Sequence, residues 1–118
     1  MFLTAHDIAH VYLRTEFVDL RKGVLGLSAL VARGFAADDG RKSLFVFTNR
    51  SRNRLRILYW DDTGFAYWHK ALEEDRFKWP KSDAEDLELS TQELRWLLSG
   101  VDISRIKTHQ RSNPKSPY

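Results

Sequence analysis

Four arginines at alternate positions, Arg50, Arg52, Arg54 and Arg56, are the residues whose type and spacing point most directly to chemistry. Alternate side chains of an extended stretch share one side, so these guanidinium groups would form a row of cations of the kind a phosphate backbone recruits. Arg41 and Lys42 precede them, and no acid occurs from Gly40 to Trp60. The competing reading is a solvated turn whose charges keep one end of a hairpin from aggregating. Arginines without neighbouring acids repel one another, which tips the balance toward a negatively charged partner.

Arg21 and Lys22 are a second basic pair, placed in the expected first turn of a helix, where the macrodipole makes cations unfavourable by about 0.3–1 kcal/mol. A bound phosphate would offset that cost; so would ion pairs to Asp19 or Glu16, or packing of the aliphatic stems. Seven aromatics, Tyr59, Trp60, Phe65, Tyr67, Trp68, Phe77 and Trp79, follow the basic turn. Alternation sends neighbours to opposite faces of a strand, and two helices are not expected to hide both faces, so part of this aromatic surface is expected to be exposed. Trp60, Trp68 and Trp79 are then the natural anchors for a protein partner or for bases, with core packing as the alternative. Catalytic readings are thin. His6 and His10 have i, i+4 spacing but lack the glutamate of a metalloprotease motif. Asp61 and Asp62, with Asp19 or Glu16, would suit magnesium, yet acids before Thr63-Gly64 are ordinary turn chemistry. No catalytic residue, metal ligand or cofactor is assigned.

These residues need elements to hold them. His10 to Phe17 reads as a strand. Asp19 caps a helix whose apolar stripe is Leu20, Val24, Leu27, Leu30 and Val31, with Gly34 as its stop. Gly23 and Gly26 lower its propensity, which a close approach to a strand or a partner would explain. Strands are expected near Leu44–Phe47, Leu55–Trp60 and Phe65–Leu72, with Phe77–Trp79 as a short edge piece; Asp62-Thr63-Gly64 supplies a hairpin glycine with positive φ. Ser90 and Glu93 form a capping box, Leu89 and Leu94 a staple, and Gly100 a stop for a helix burying Leu94, Leu97, Leu98 and Val101. The expected fold is α+β, an antiparallel β-meander of three to five strands with one helix after the first strand and a C-terminal helix.

The chain of 118 residues suits one domain over residues 1–104, followed by a disordered basic tail over 105–118 with four Lys and Arg and no acid. Through residue 104, fifteen Lys and Arg face sixteen Asp and Glu, so the whole excess of the +3 net charge lies in the tail. The absence of cysteine removes disulfides, thiolate zinc sites and thiol catalysis, and suits a reducing cytoplasm. No signal-peptide h-region follows Met1 and no apolar run approaches the ~20 residues of a membrane span, so a soluble protein without membrane contact is expected.

Val18-Asp19-Leu20-Arg21-Lys22-Gly23, then Gly26-Leu27 and Leu30-Val31, then LFVFTNRSRNRLRILYWDDTGF from Leu44 to Phe65, then Phe77-Lys78-Trp79-Pro80, and finally Thr91, Leu94, Leu97, Leu98 and Gly100 form an ordered series. From about Val11 to Asp102 the chain closely resembles the TnpB accessory proteins of insertion-sequence family sixty-six. The resemblance implies a non-catalytic helper required for transposition, encoded beside a separate, larger transposase that carries the cutting and joining. It carries over Asp19, Arg21, Lys22 and Gly23, and the basic hairpin at Arg50, Arg52, Arg54 and Arg56. The expected partners are DNA, through the hairpin and tail, and the transposase. The alternative is a module that docks on the transposase through exposed aromatics without touching DNA. The oligomeric state is left open.

Overall fold

The computed structural model describes residues 8–37, 42–61 and 63–104; the expected basic tail, His6, Arg41 and Asp62 lie outside them. The architecture is built around β2 (Ser43–Thr48), all six residues of which are buried. Leu44 and Val46 enter one core and Phe45 and Phe47 another, and a strand that is apolar on both faces belongs in the middle of a sheet covered on both sides. β1 (His10–Arg14) lies beside it in parallel, from His10 opposite Ser43 to Leu13 opposite Val46. β3 (Arg54–Asp61) and β4 (Gly64–Ala71) follow antiparallel on the other side. β5 (Asp86–Leu89) pairs antiparallel with the free side of β1, giving the order β4-β3-β2-β1-β5.

The fold is α+β, but the sheet is mixed rather than an antiparallel meander. The meander is confined to β2, β3 and β4. Between β1 and β2 the chain passes through α1 (Gly23–Ala37), and a helical crossover returns it to the end where it started, so the two strands run the same way. α1 covers Phe45, Phe47 and Leu58 with Leu27 and Val31, while Val24 and Leu30 pack at the margin.

The start of this helix differs from expectation. Leu20–Lys22 form a separate 3-10 turn, capped by Asp19, whose carboxylate accepts from the Arg21 N–H at 3.0 Å. Gly23 then takes φ +73°, and α1 begins afresh; glycine reaches that conformation without a Cβ penalty. Arg21 and Lys22 therefore stand before the α-helix and not in its first turn. At Gly26 a Cβ would lie 2.6 Å from the Lys22 Cβ, so the close approach is to the preceding turn of the same chain rather than to a strand or partner. The helix continues through Gly34 to Ala37.

The opposite face carries Val11, Leu13, Leu44, Val46, Leu55, Ile57 and Tyr59. α2 (Thr91–Leu98) covers part of it with Leu94 and Leu97. Its capping box is formed as expected: the Ser90 hydroxyl accepts from the Glu93 N–H at 3.0 Å and the Glu93 carboxylate accepts from the Ser90 N–H at 2.8 Å. Gly100 ends it at φ +91°, with the Gly100 N–H bonded to the Leu97 carbonyl and the Val101 N–H to that of Trp96, a Schellman closure. Val101 is exposed; Ile103 takes its place in the core.

β4 and β5 are opposite edges of the sheet, so the segment between them must cross it. Phe77 and Trp79, expected as an edge strand, lie instead in this crossing segment, buried in the core. The Phe77 N–H bonds the Arg52 carbonyl at 2.8 Å, and the Trp79 indole N–H bonds the Arg14 carbonyl at 3.0 Å. β5 was not anticipated: it has four residues, and Asp86 and Glu88 pair with Arg14 and His10, each at 2.7 Å. Gly64 pairs with Asp61 as the first residue of β4 without positive φ; the left-handed conformation falls on Arg52, φ +59°.

Leu97 is fully buried and Gln92 is exposed on the same helix. Leu97→Ala is expected to cost about 2–5 kcal/mol in urea melts, and Gln92→Ala less than about 0.5 kcal/mol; the reverse ranking would mean that the helix phase is misassigned.

Candidate functional site

The basic residues sit where two loops meet at one end of the sheet. The β2–β3 turn is held by its own asparagines. Asn49 donates from Nδ2 to Asn53 Oδ1 at 2.7 Å and accepts the Arg54 N–H on Oδ1 at 3.1 Å, while the Arg52 N–H bonds the Asn49 carbonyl at 3.1 Å. The Thr48 hydroxyl donates to the Arg54 carbonyl at 2.8 Å. From the core side, the Leu72 N–H bonds the Asn53 carbonyl and the Phe77 N–H that of Arg52, both at 2.8 Å. A left-handed non-glycine residue costs of the order of 1–3 kcal/mol; these bonds hold Arg52 there.

The second loop, between β1 and α1, is pinned against the first. The Val18 N–H bonds the Thr48 carbonyl at 2.9 Å, and Arg56 Nη1 donates to the Leu20 carbonyl at 2.7 Å. Between the loops lies a cleft of about 390 Å³, whose lining includes Phe17, Asp19, Arg21, Arg50, Arg54 and Arg56. Among the described residues, four guanidinium groups thus face one carboxylate. Arg21 grips that carboxylate with two bonds, 2.9 Å to Oδ1 and 3.0 Å to Oδ2, and with its backbone N–H, which holds the Asp19 pKa down to about 2.

The arginines do different work. Arg56 is part of the frame: besides the Leu20 carbonyl it lies over the Tyr67 ring, 4.5 Å from the centroid, and donates from Nε to His69 Nδ1 at 3.1 Å. The accepting nitrogen requires a neutral imidazole, and burial, then the Arg56 and Arg54 charges, push the His69 pKa below its usual 6.5. Arg50 sits over Phe17, 5.8 Å from the ring centroid. The Arg54 side chain makes no hydrogen bond or ion pair among the described residues. The anticipated row of four is therefore broken. Arg50, Arg54 and Arg56 line the cleft with Arg21, whereas Arg52 and Lys22 do not.

The three tryptophans do not gather. Trp60 meets Phe65 edge-on, centroids 5.3 Å apart, and is half-buried. Trp68 packs against the core that α2 also covers, and Trp79 is only 8 % exposed within it. The expectation that two helices leave an aromatic face open omitted the crossing segment. Asp61 ends β3, about 23 Å along the strand from Arg54, so it does not meet Asp19. Among the described residues no group of three or more His, Asp or Glu could hold a metal ion. His10 is on a strand, where i, i+4 spacing has no helical meaning. Phe17 was missed: it reads as the end of the first strand, which in fact stops at Arg14 and leaves the residue 45 % exposed.

Comparison with known proteins fixes the family. Residues 9–108 match the family described as IS66 Orf2 like protein, and the chain belongs to it, as the ordered motifs implied. It is thereby an accessory protein associated with the transposition of IS66 elements. Two relatives from Sinorhizobium fredii (strain NBRC 101917 / NGR234) bear the names uncharacterized protein y4jC and uncharacterized protein y4hO. The first is 35 % identical over 104 residues, covering 88 % of this chain and 89 % of the relative. The second is 32 % identical over 92 residues, covering 78 % and 80 %. No solved structure matches significantly. Among the described residues no helix is long and apolar enough to cross a membrane.

His69 offers a test of the electrostatics. Its folded pKa lies below its unfolded value, so the unfolded chain takes up the proton first as pH falls. Its contribution to stability is complete above about pH 6.5 and is lost as pH falls through the lower folded value. NMR titration of the imidazole is expected to give a midpoint below 6.5 that Arg54→Gln moves upward; a midpoint above 6.5 would contradict the arrangement.

Proposed function

We propose that this protein is a non-enzymatic accessory factor of transposition that works in the cytoplasm beside the element's transposase and contacts DNA through the cleft between the β1–α1 loop and the basic turn. The observation that supports this reading is the convergence of Arg50 and Arg54 on a cleft whose one acid among the described residues, Asp19, is already neutralised by Arg21. Cations held on a hydrogen-bonded frame without an acidic partner suit phosphate oxygens, whose neutralisation releases counterions. Phosphate contacts position a protein on DNA without reading sequence, which fits a helper to an enzyme that selects the ends.

A second reading, docking on the transposase, is favoured by Leu25, which is 83 % exposed on α1. On that reading Leu25→Asp weakens co-purification with the transposase at high salt and leaves DNA affinity unchanged.

Changing Arg50 and Arg54 together to Gln is expected to shrink the slope of log affinity against log salt by up to about 1.8, since each duplex phosphate contact contributes about 0.9. The loss should be equal on terminal-repeat and random duplexes. Arg95→Gln, an exposed change on α2, should leave the slope unaltered. Arg56 is unsuited to this test because its guanidinium holds the Leu20 loop. Anisotropy at several salt concentrations measures all three proteins; an unchanged slope in the double variant would remove the DNA reading.

A further inference from the structure

Resting on that DNA reading, we propose that the cleft accepts an unpaired nucleobase, stacked on Phe17 with its flanking phosphates on Arg50 and Arg54, so that the ligand is single-stranded or locally opened DNA rather than intact duplex. Phe17 is the observation that phosphate binding leaves unexplained. The residue is 45 % exposed inside a charged cleft, while Leu20, three residues on, is buried. The exposure is built in: the Val18 N–H on the Thr48 carbonyl and the Leu20 carbonyl under Arg56 fix the backbone on the C-terminal side of Phe17. Among the described residues, the other exposed large apolar side chains, Leu25 and Val101, do not line the cleft.

Duplex DNA presents phosphates outward and keeps its base faces stacked inside, so it has no use for an aromatic ring between arginines. An unpaired base offers a planar face, and an aromatic side chain within a basic groove is how sequence-tolerant single-strand binders take it. Arg50, over the Phe17 ring at 5.8 Å from its centroid, adds a second planar, cationic surface on which a base can stack. A cleft of about 390 Å³ lies within the roughly 300–1,000 Å³ of pockets that enclose small ligands. It suits one nucleotide. Asp19, ionised and doubly bonded to Arg21, leaves Arg50 and Arg54 to meet the phosphates.

The test is fluorescence anisotropy of the full chain with a labelled oligothymidine of about 12 nucleotides, within the site sizes of single-strand grooves, and a random duplex of the same length. The wild type is expected to prefer oligothymidine. Phe17→Ala should weaken oligothymidine binding about tenfold, the loss of one stacked base, and change duplex binding less than about twofold. Arg50→Gln with Arg54→Gln should weaken both probes. In Phe17→Trp the added indole should be quenched by oligothymidine and not by duplex, a readout that does not depend on the alanine variant folding. Equal binding of wild type and Phe17→Ala to oligothymidine, a preference for duplex, or an unquenched indole would overturn base stacking while leaving the phosphate-contact reading standing. Failure of the wild type to bind either probe would overturn both.

Discussion

A strand buried on both faces governs this molecule. β2 sends Leu44 and Val46 one way and Phe45 and Phe47 the other, so a short chain must cover two apolar faces. α1 covers the face of Phe45 and Phe47, and because it lies between β1 and β2 it also makes them parallel. The face of Leu44 and Val46 receives α2, whose eight residues extend only about 12 Å. The remainder is closed by the crossing segment with Phe77 and Trp79. Lys70, from β4, donates to the Leu98 carbonyl at 3.0 Å and ties the end of α2 to the sheet edge.

Covering the core is also what builds the cleft. The crossing segment bonds the Arg52 and Asn53 carbonyls from the core side, and the chain leading to α1 rests on Thr48 and Arg56. The basic turn is therefore clamped between two coverings of the same sheet. Its arginines project from a fixed frame, which lowers the conformational entropy that a ligand must remove.

Arginine itself illustrates how little residue type decides. Arg14 pairs with Asp86 at 2.7 Å and donates to the Leu30 carbonyl at 3.2 Å; Arg56 is absorbed by a carbonyl, an imidazole and a phenol ring. Arg50 and Arg54 line the cleft with no such hydrogen bond or ion pair among the described residues, Arg50 having only the Phe17 ring beneath it. The fold separates the two surfaces proposed above for nucleic acid and for the transposase: the charged cleft at the loop end, and the exposed Leu25 on α1.

The sequence by itself determined those features whose physics is local. The Ser90 capping box, the Gly100 closure, the strands of β2, β3 and β4, and the concentration of cations after Asn49 each depend on residues a few positions apart, and they could be read from spacing alone. The family was legible for a related reason, since the ordered motifs from Val18 to Gly100 survive as a pattern in one dimension. Tertiary structure alone decided the parallel pairing, the strand at Asp86–Leu89, the burial of Phe77 and Trp79, the split of the first helix at Gly23, and the exposure of Phe17. Each depends on contacts between distant positions: Arg56 reaches Leu20 across 36 residues, Trp79 reaches Arg14 across 65, and His10 reaches Glu88 across 78. Which arginines are free and which are structural follows from those same contacts, because a guanidinium is consumed by whatever carbonyl or carboxylate the fold brings beside it.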